Sequence, residues 1–136
     1  FDAVLIKDNH IAAVTVDALA AAVSNAAKAA RAAAPAGLRF VEVEVDSLDQ
    51  LRALLALPPG TIDIVLLDNM DTAQLREAVA LRDAASRPGA PRLELEASGG
   101  VNLQTVGVIA ATGVDRISAG ALTHQAVSVD IGMDIR

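Results

Sequence analysis

The chain contains no cysteine, tryptophan or tyrosine, and only two phenylalanines and two methionines among 136 residues. Without cysteine there is no disulfide, no thiolate metal ligand and no thiol nucleophile. Cysteine usage therefore leaves the compartment open, because such a chain folds in any of them. Two aromatic rings are too few for ring stacking to be a main binding device. A basic excess is also missing: the net charge is −6, which argues against nucleic acid as a partner. No apolar run approaches the ~20 residues of a membrane span. No signal peptide is visible, since Phe1-Asp2 leads at once into a strand-like run. A cytoplasmic location is the expectation. The start on Phe rather than Met reads as a fragment. What is plentiful is apolar side chain, 53% of the residues, enough for a substantial core in one domain.

That apolar content is punctuated regularly. Ala3 to Ile6 reads as a short strand ending in Lys7-Asp8-Asn9-His10. Thr15 to Ala34 is alanine-rich, with Val16, Leu19 and Val23 at helical spacing, and stops at Pro35-Ala36-Gly37. Arg39 to Val45 is a second strand. Ser47 with Gln50 has the spacing of a capping box for a helix that ends by Pro58-Pro59-Gly60. Ile62 to Leu67 is a third strand ending in Asp68-Asn69, and Asp71 with Gln74 repeats the capping pattern before a helix to about Ser86. Arg92 to His124 then reads as strand, Gly99-Gly100 turn, short helix closed by Gly113, brief strand at 116–118 and a second small-residue turn, Ala119-Gly120-Ala121. Such alternation predicts parallel strands joined by crossover helices. Two strand-to-glycine turns late in such a chain resemble the way β/α barrels bind phosphate through backbone N–H groups. The same glycines serve equally well as plain strand terminators.

Pattern alone leaves a closed barrel and an open doubly wound sheet both standing; strand parity favours the barrel. Val41, Val43 and Val45 alternate with Glu42, Glu44 and Asp46, and Leu93 and Leu95 alternate with Glu94 and Glu96. A strand covered by helices on both faces is almost continuously apolar. Here one face carries carboxylates, as the lumen side of a barrel can. Lys7, Asp68, Arg116 and Ser118 share that parity. Glu42 and Glu94, deeper in their strands, are expected to form an internal ion-pair network with Arg116 as a partner. Lys7, Glu44 and Asp68, at strand ends, are the candidate site. Glu96 and His124 are further pocket candidates; His10 and Asn9 fit a pocket lining and a plain turn equally well. Met70 and Met133 are expected to pack.

Five segments in register, VLIKDNHIAA, VEVEVDSLDQL, IVLLDNM, LEASGGVNLQT and ISAGALTHQAVSVDIGMDI, resemble the C-terminal half of quinolinate phosphoribosyltransferases, the carboxylating nicotinate-nucleotide pyrophosphorylases. The resemblance spans essentially the whole chain. It implies the later β/α units of an incomplete, TIM-like β/α barrel, so that residues 1–136 form the C-terminal portion of a catalytic domain. An N-terminal α/β domain and the early barrel strands are then absent from this chain. It also implies a reaction: quinolinate and phosphoribosyl pyrophosphate give nicotinate mononucleotide, pyrophosphate and CO2, with Mg²⁺, in NAD biosynthesis. By the same resemblance Lys7 contacts substrate, and Glu44 and Asp68 hold the ribose hydroxyls and the metal side of the sugar phosphate, in part through water. Ser98, Gly99 and Gly100 match one phosphate turn, and Ala119, Gly120 and Ala121 the other. A homodimer, with each site completed by the partner subunit, is expected.

The departure from the family is one of extent. The arginines and lysine that grip the two quinolinate carboxylates precede this segment in the family. The 136 residues are therefore expected to bind the phosphoribosyl end and to be inactive alone. Two alternatives share the pattern: a Schiff-base aldolase using Lys7, and a non-catalytic phosphate-ligand-binding relative.

Overall fold

The computed structural model describes residues 2–34, 36–120 and 122. Five parallel strands form one sheet in sequential order: β1 (Ala3–Ile6), β2 (Phe40–Val45), β3 (Ile64–Asp68), β4 (Glu94–Ser98) and β5 (Arg116–Ile117). Between them lie α1 (Asp8–Ile11), α2 (Val16–Ala33), α3 (Leu48–Leu55), α4 (Thr72–Ala85) and α5 (Val106–Ala110). Sequential order decides between the two architectures. A doubly wound sheet reverses its strand order and carries helices on both faces. Here Val41, Val43, Val45, Val65, Leu67, Leu95 and Ala97 share one core cluster with Leu19 and Val23 of α2, Leu51 and Leu54 of α3, Leu75 of α4 and Ile109 of α5. The helices therefore cover a single face, and the sheet is a segment of a TIM-like barrel wall.

Helix α2 follows from its composition. Alanine carries the best intrinsic helix propensity, and Leu19, Val23 and Ala27, spaced by four, are all buried against the sheet. Burial of a leucine or valine of this kind stabilises by about 1.5–3 kcal/mol. Helix α4 has the predicted capping box: the Asp71 carboxylate accepts from the Ala73 and Gln74 N–H groups, and Gln74 Oε1 accepts from the Asp71 N–H. The one predicted for α3 does not form. Ser47 makes no side-chain cap, and Gln50 Oε1 accepts instead from the Asp46 N–H at 3.0 Å. Asp8–Ile11 also forms a short helix, α1, with Lys7 as its N-cap, where strand end and turn were expected. It buries Ile11, and His10 Nδ1 accepts the Lys7 N–H.

A pair of equivalent clasps holds the N-terminal strand ends. Asp63, just before β3, donates its N–H to the Val41 carbonyl, and its Oδ2 accepts from the Val41 N–H and from Arg31 of α2, both at 2.7 Å. Asp115, just before β5, repeats the arrangement with Leu95 and with Arg82 of α4, and Arg92 joins it at 2.6 Å. Arg82 is 1% exposed. Burial alone would raise the Asp115 carboxyl; the Leu95 N–H and the Arg92 and Arg82 guanidiniums outweigh it and hold the group below its ordinary value. These clasps fix strand register at the end of the barrel opposite the candidate site.

Candidate active site

The face turned away from the helices carries the charges that strand parity assigns to it. Register places Leu5 beside Glu42, Glu42 beside Ile64, Glu44 beside Leu66, Glu96 beside Leu66 and Arg116, and Asp68 beside Ser98. Arg116 bonds Glu94 through Nε at 2.5 Å, as expected, and its guanidinium carbon stands 5.7 Å from the centre of the Phe40 ring on β2. In a flat sheet β5 and β2 stand about 14 Å apart. Curvature toward this face brings their side chains together, as a barrel requires.

At the C-terminal ends of the strands the candidate residues converge. Lys7 follows β1 directly, and its Nζ lies 3.8 Å from Glu44 Oε2. The lysine side chain is about half exposed, whereas that of Glu44 is buried. Burial raises the Glu44 carboxyl; Lys7 opposes this, and the nearby Asp8 and Asp68 add to it, leaving the group above its ordinary value. Asp68 closes β3, and its Oδ2 accepts from Asn69 Nδ2 at 2.8 Å. Ser98 closes β4 alongside, and Gly99 and Gly100 follow with φ of 91° and 62°. A side chain on Gly99 has no room, since a Cβ there would lie 2.1 Å from Asn69 Oδ1. Glu96 accepts from the Ser118 hydroxyl after β5. Ala119 and Gly120 follow Ser118 at this same end, whereas Ala121, His124 and Met133 lie outside the described residues. Asn9 and His10 are both exposed on α1, and Met70 packs against the core.

Glu42 departs from the expected ion-pair network. It is 8% exposed, and its Oε1 has no hydrogen-bond partner. Burial, then Glu96, push its pKa up; Arg116 opposes them, Glu44 adds to the rise, and the value reaches about 7. The expected partner, Arg116, is bonded to Glu94 instead.

Sequence reasoning also passed over Asn69. It is the one non-glycine residue with positive φ among those described, at 53°, and it touches both Asp68 and the glycine turn. Its position directly after a strand-ending aspartate was the available signal, because asparagine is enriched in the left-handed region.

Among the described residues no group of three or more histidine, aspartate or glutamate side chains is placed to hold a metal ion. Glu44 and Asp68 supply two hard oxygen donors, a set that suits Mg²⁺ shared with substrate phosphates and water better than a closed protein cage.

Comparison with known proteins gives the family. The chain matches the family model "Quinolinate phosphoribosyl transferase, C-terminal domain" over residues 1–134. The chain belongs to this family. The nicotinate-nucleotide pyrophosphorylase [carboxylating] of Mycobacterium leprae is 47% identical over 136 residues, covering 98% of this chain and 42% of that protein. A probable nicotinate-nucleotide pyrophosphorylase [carboxylating] of Bacillus subtilis is 36% identical over 135 residues, covering 99% and 41%. Among solved structures, NadC from Streptococcus pyogenes superposes with a TM-score of 0.68 at 37% identity, covering 95% of this chain and 39% of that one. The nicotinate-nucleotide pyrophosphorylase from Francisella tularensis gives 0.67 at 35% identity, covering 90% and 38%. The chain thus spans about two fifths of the length of the relatives it matches. Among the described residues no helix is long and apolar enough to cross a membrane.

Proposed function

We propose that this chain forms the ribose-phosphate side of a quinolinate phosphoribosyltransferase site, within a cytoplasmic enzyme that makes nicotinate mononucleotide for NAD synthesis. The observation that carries this is the convergence of the Lys7–Glu44 pair, Asp68 and the Ser98-Gly99-Gly100 turn at one end of consecutive parallel strands. In the reaction the quinolinate ring nitrogen attacks ribose C1 of phosphoribosyl pyrophosphate, and the C1–O bond to pyrophosphate breaks. The carboxylate at ring C2 then leaves as CO2, and a proton takes its place. Positive charge develops on the sugar as pyrophosphate departs. Glu44 and Asp68 accept the ribose hydroxyls and place negative charge beside that sugar, an interaction strongest in the transition state. Lys7 presents a cation toward the anionic substrates while holding Glu44 in place. Backbone N–H groups of the turns at 98–100 and 119–121 receive the 5′-phosphate, and His124, which follows the second turn in sequence, adds a donor. Glu44 and Asp68 would hold Mg²⁺ through water, and the ion would supply positive charge to the departing pyrophosphate.

The partner subunit completes each site in a homodimer, and the segments outside this chain grip the quinolinate carboxylates. The test is turnover by the complete protein, read as nicotinate mononucleotide and pyrophosphate formed from the two substrates. Turnover is expected, and its failure, together with failure to bind phosphoribosyl pyrophosphate with Mg²⁺ in calorimetry, would refute the proposal. No observation favours the aldolase alternative. A Schiff-base lysine is typically desolvated in an apolar pocket or set beside another cation, and Lys7 is half exposed and paired with a carboxylate.

A further inference from the structure

Asn69 belongs neither to the carboxylate pair nor to the glycine turn, yet it joins them. Its Nδ2 donates to Asp68 Oδ2 at 2.8 Å, and its backbone N–H donates to the Ser98 carbonyl at 2.9 Å. Its Oδ1 and Cγ occupy the space where a Cβ on Gly99 would stand, at 2.1 Å and 2.7 Å. The residue adopts φ 53°, a conformation that costs free energy for any residue with a Cβ and is held here by contacts on both sides. A left-handed residue over-determined in this way at the C-terminal end of a barrel strand points to a role beyond chain reversal.

We propose that Asn69 is a positioning residue that sets the Asp68 carboxylate and the 99–100 turn by one side chain, so that ribose and phosphate are held in a fixed relation. The inference rests on the transferase function proposed above. The amide donor fixes the plane of the Asp68 carboxylate, and the amide oxygen fills the gap against Gly99. Neither job passes to a neighbour when the side chain changes. Glycine keeps the left-handed backbone and the N–H to Ser98 but supplies no donor. Aspartate keeps the shape and loses the donor.

The test uses the complete protein, with steady-state kinetics at several pH values for the parent, Asn69→Gly and Asn69→Asp, and circular dichroism of each. Asn69→Gly should lower kcat/KM for phosphoribosyl pyrophosphate by about tenfold or more, as loss of an orienting hydrogen bond typically does, with the KM for quinolinate unchanged. Asn69→Asp, which keeps the side-chain shape and loses the donor, should also raise the KM for phosphoribosyl pyrophosphate and leave the KM for quinolinate unchanged. A purely structural role would lower thermal stability and the active fraction in both variants and leave both KM values parental. Parental phosphoribosyl pyrophosphate kinetics in a folded Asn69→Gly or Asn69→Asp would overturn the inference and leave the transferase function standing. Should Asn69→Gly unfold, Asn69→Asp decides alone. An inactive parent would overturn the transferase function and the inference with it.

Discussion

Replacement of Glu42 by glutamine should stabilise the protein at neutral and alkaline pH and leave it unchanged in acid. The wild-type carboxyl is 8% exposed, has one oxygen without a partner and titrates near 7 rather than 4.5. The sign follows from proton binding. Below the unfolded value of 4.5 the group is protonated in both states and contributes nothing. Between 4.5 and about 7 the folded state holds a proton that the unfolded state has lost, so stability falls as pH rises. Above 7 the penalty is complete. At about 1.4 kcal/mol per pH unit it amounts to roughly 3 kcal/mol. Glutamine has nearly the same shape and no charge to desolvate. Urea denaturation of wild type and Glu42→Gln, followed by circular dichroism from about pH 5 to about pH 8, reads the difference directly. The gap between the two proteins should open up to about pH 7 and then level off. Asp115 lies outside the window, because its carboxyl sits below its ordinary value and the stability it adds is lost only as pH falls through that lower value. A constant gap would refute the reasoning. So would a carbon-13 titration of Glu42 in residues 1–136 alone with an ordinary carboxylate midpoint, because burial would then not hold the proton.

Four further outcomes are expected. Glu44→Ala and Asp68→Ala in the complete protein should mainly lower kcat, since sugar charge develops in the transition state; parental turnover in both would remove the role assigned to these carboxylates. Gly99→Ala should destabilise the protein by about 1–3 kcal/mol, through a left-handed backbone and a Cβ driven into Asn69, measured by thermal melting against the parent. Gly120→Val should crowd the backbone approach at the second turn. Phosphoribosyl pyrophosphate affinity should fall in calorimetry, and unchanged affinity would refute the phosphate turn. Arg82→Met should cost about 3 kcal/mol, by breaking a buried ion pair and leaving Asp115 short of a partner; an unchanged denaturation midpoint would show that Arg92 suffices.

Much of the fold was legible because its signals are local. Strand parity in VEVEV and LELE separated the core face from the charged face, and Asp71 with Gln74 announced a helix start that forms as read. The rest was hidden by distance along the chain. Arg82 looks like any surface residue of an amphipathic helix, and only its partner Asp115, 33 positions away, explains its burial. The Asp63 and Asp115 clasps repeat in space without an obvious repeat in sequence. Gln50 satisfied the capping spacing and yet bonded one residue earlier, a choice set by local geometry that no spacing rule contains. At the site, the strand-end charges were readable from parity, but Glu42 was assigned an ion partner that Arg116 gives to Glu94. Asn69 stayed invisible because its work depends on a glycine 30 positions away.

The inner face of the sheet is acidic, and under the proposed function that sign sets what segments outside this chain would have to supply. Glu42, Glu44, Asp68, Glu94 and Glu96 share that face with Lys7 and Arg116, and the carboxylates outnumber the cations. Arg116 is held by Glu94, and Lys7 is drawn to Glu44. A surface of this sign suits a sugar that turns cationic in the transition state and repels a dicarboxylate and a pyrophosphate. In the proposed reaction, binding two anionic substrates beside it requires cations from the other side of the pocket. The same cations would lower the Glu42 and Glu44 pKa values toward the ordinary range. Carboxylate titrations in the absence and presence of the closing segments, or of Mg²⁺ with pyrophosphate, should show both midpoints falling as positive charge arrives. Midpoints that do not move would mean that the inner face and the substrate pocket are electrically separate, and the division of labour proposed here would fail.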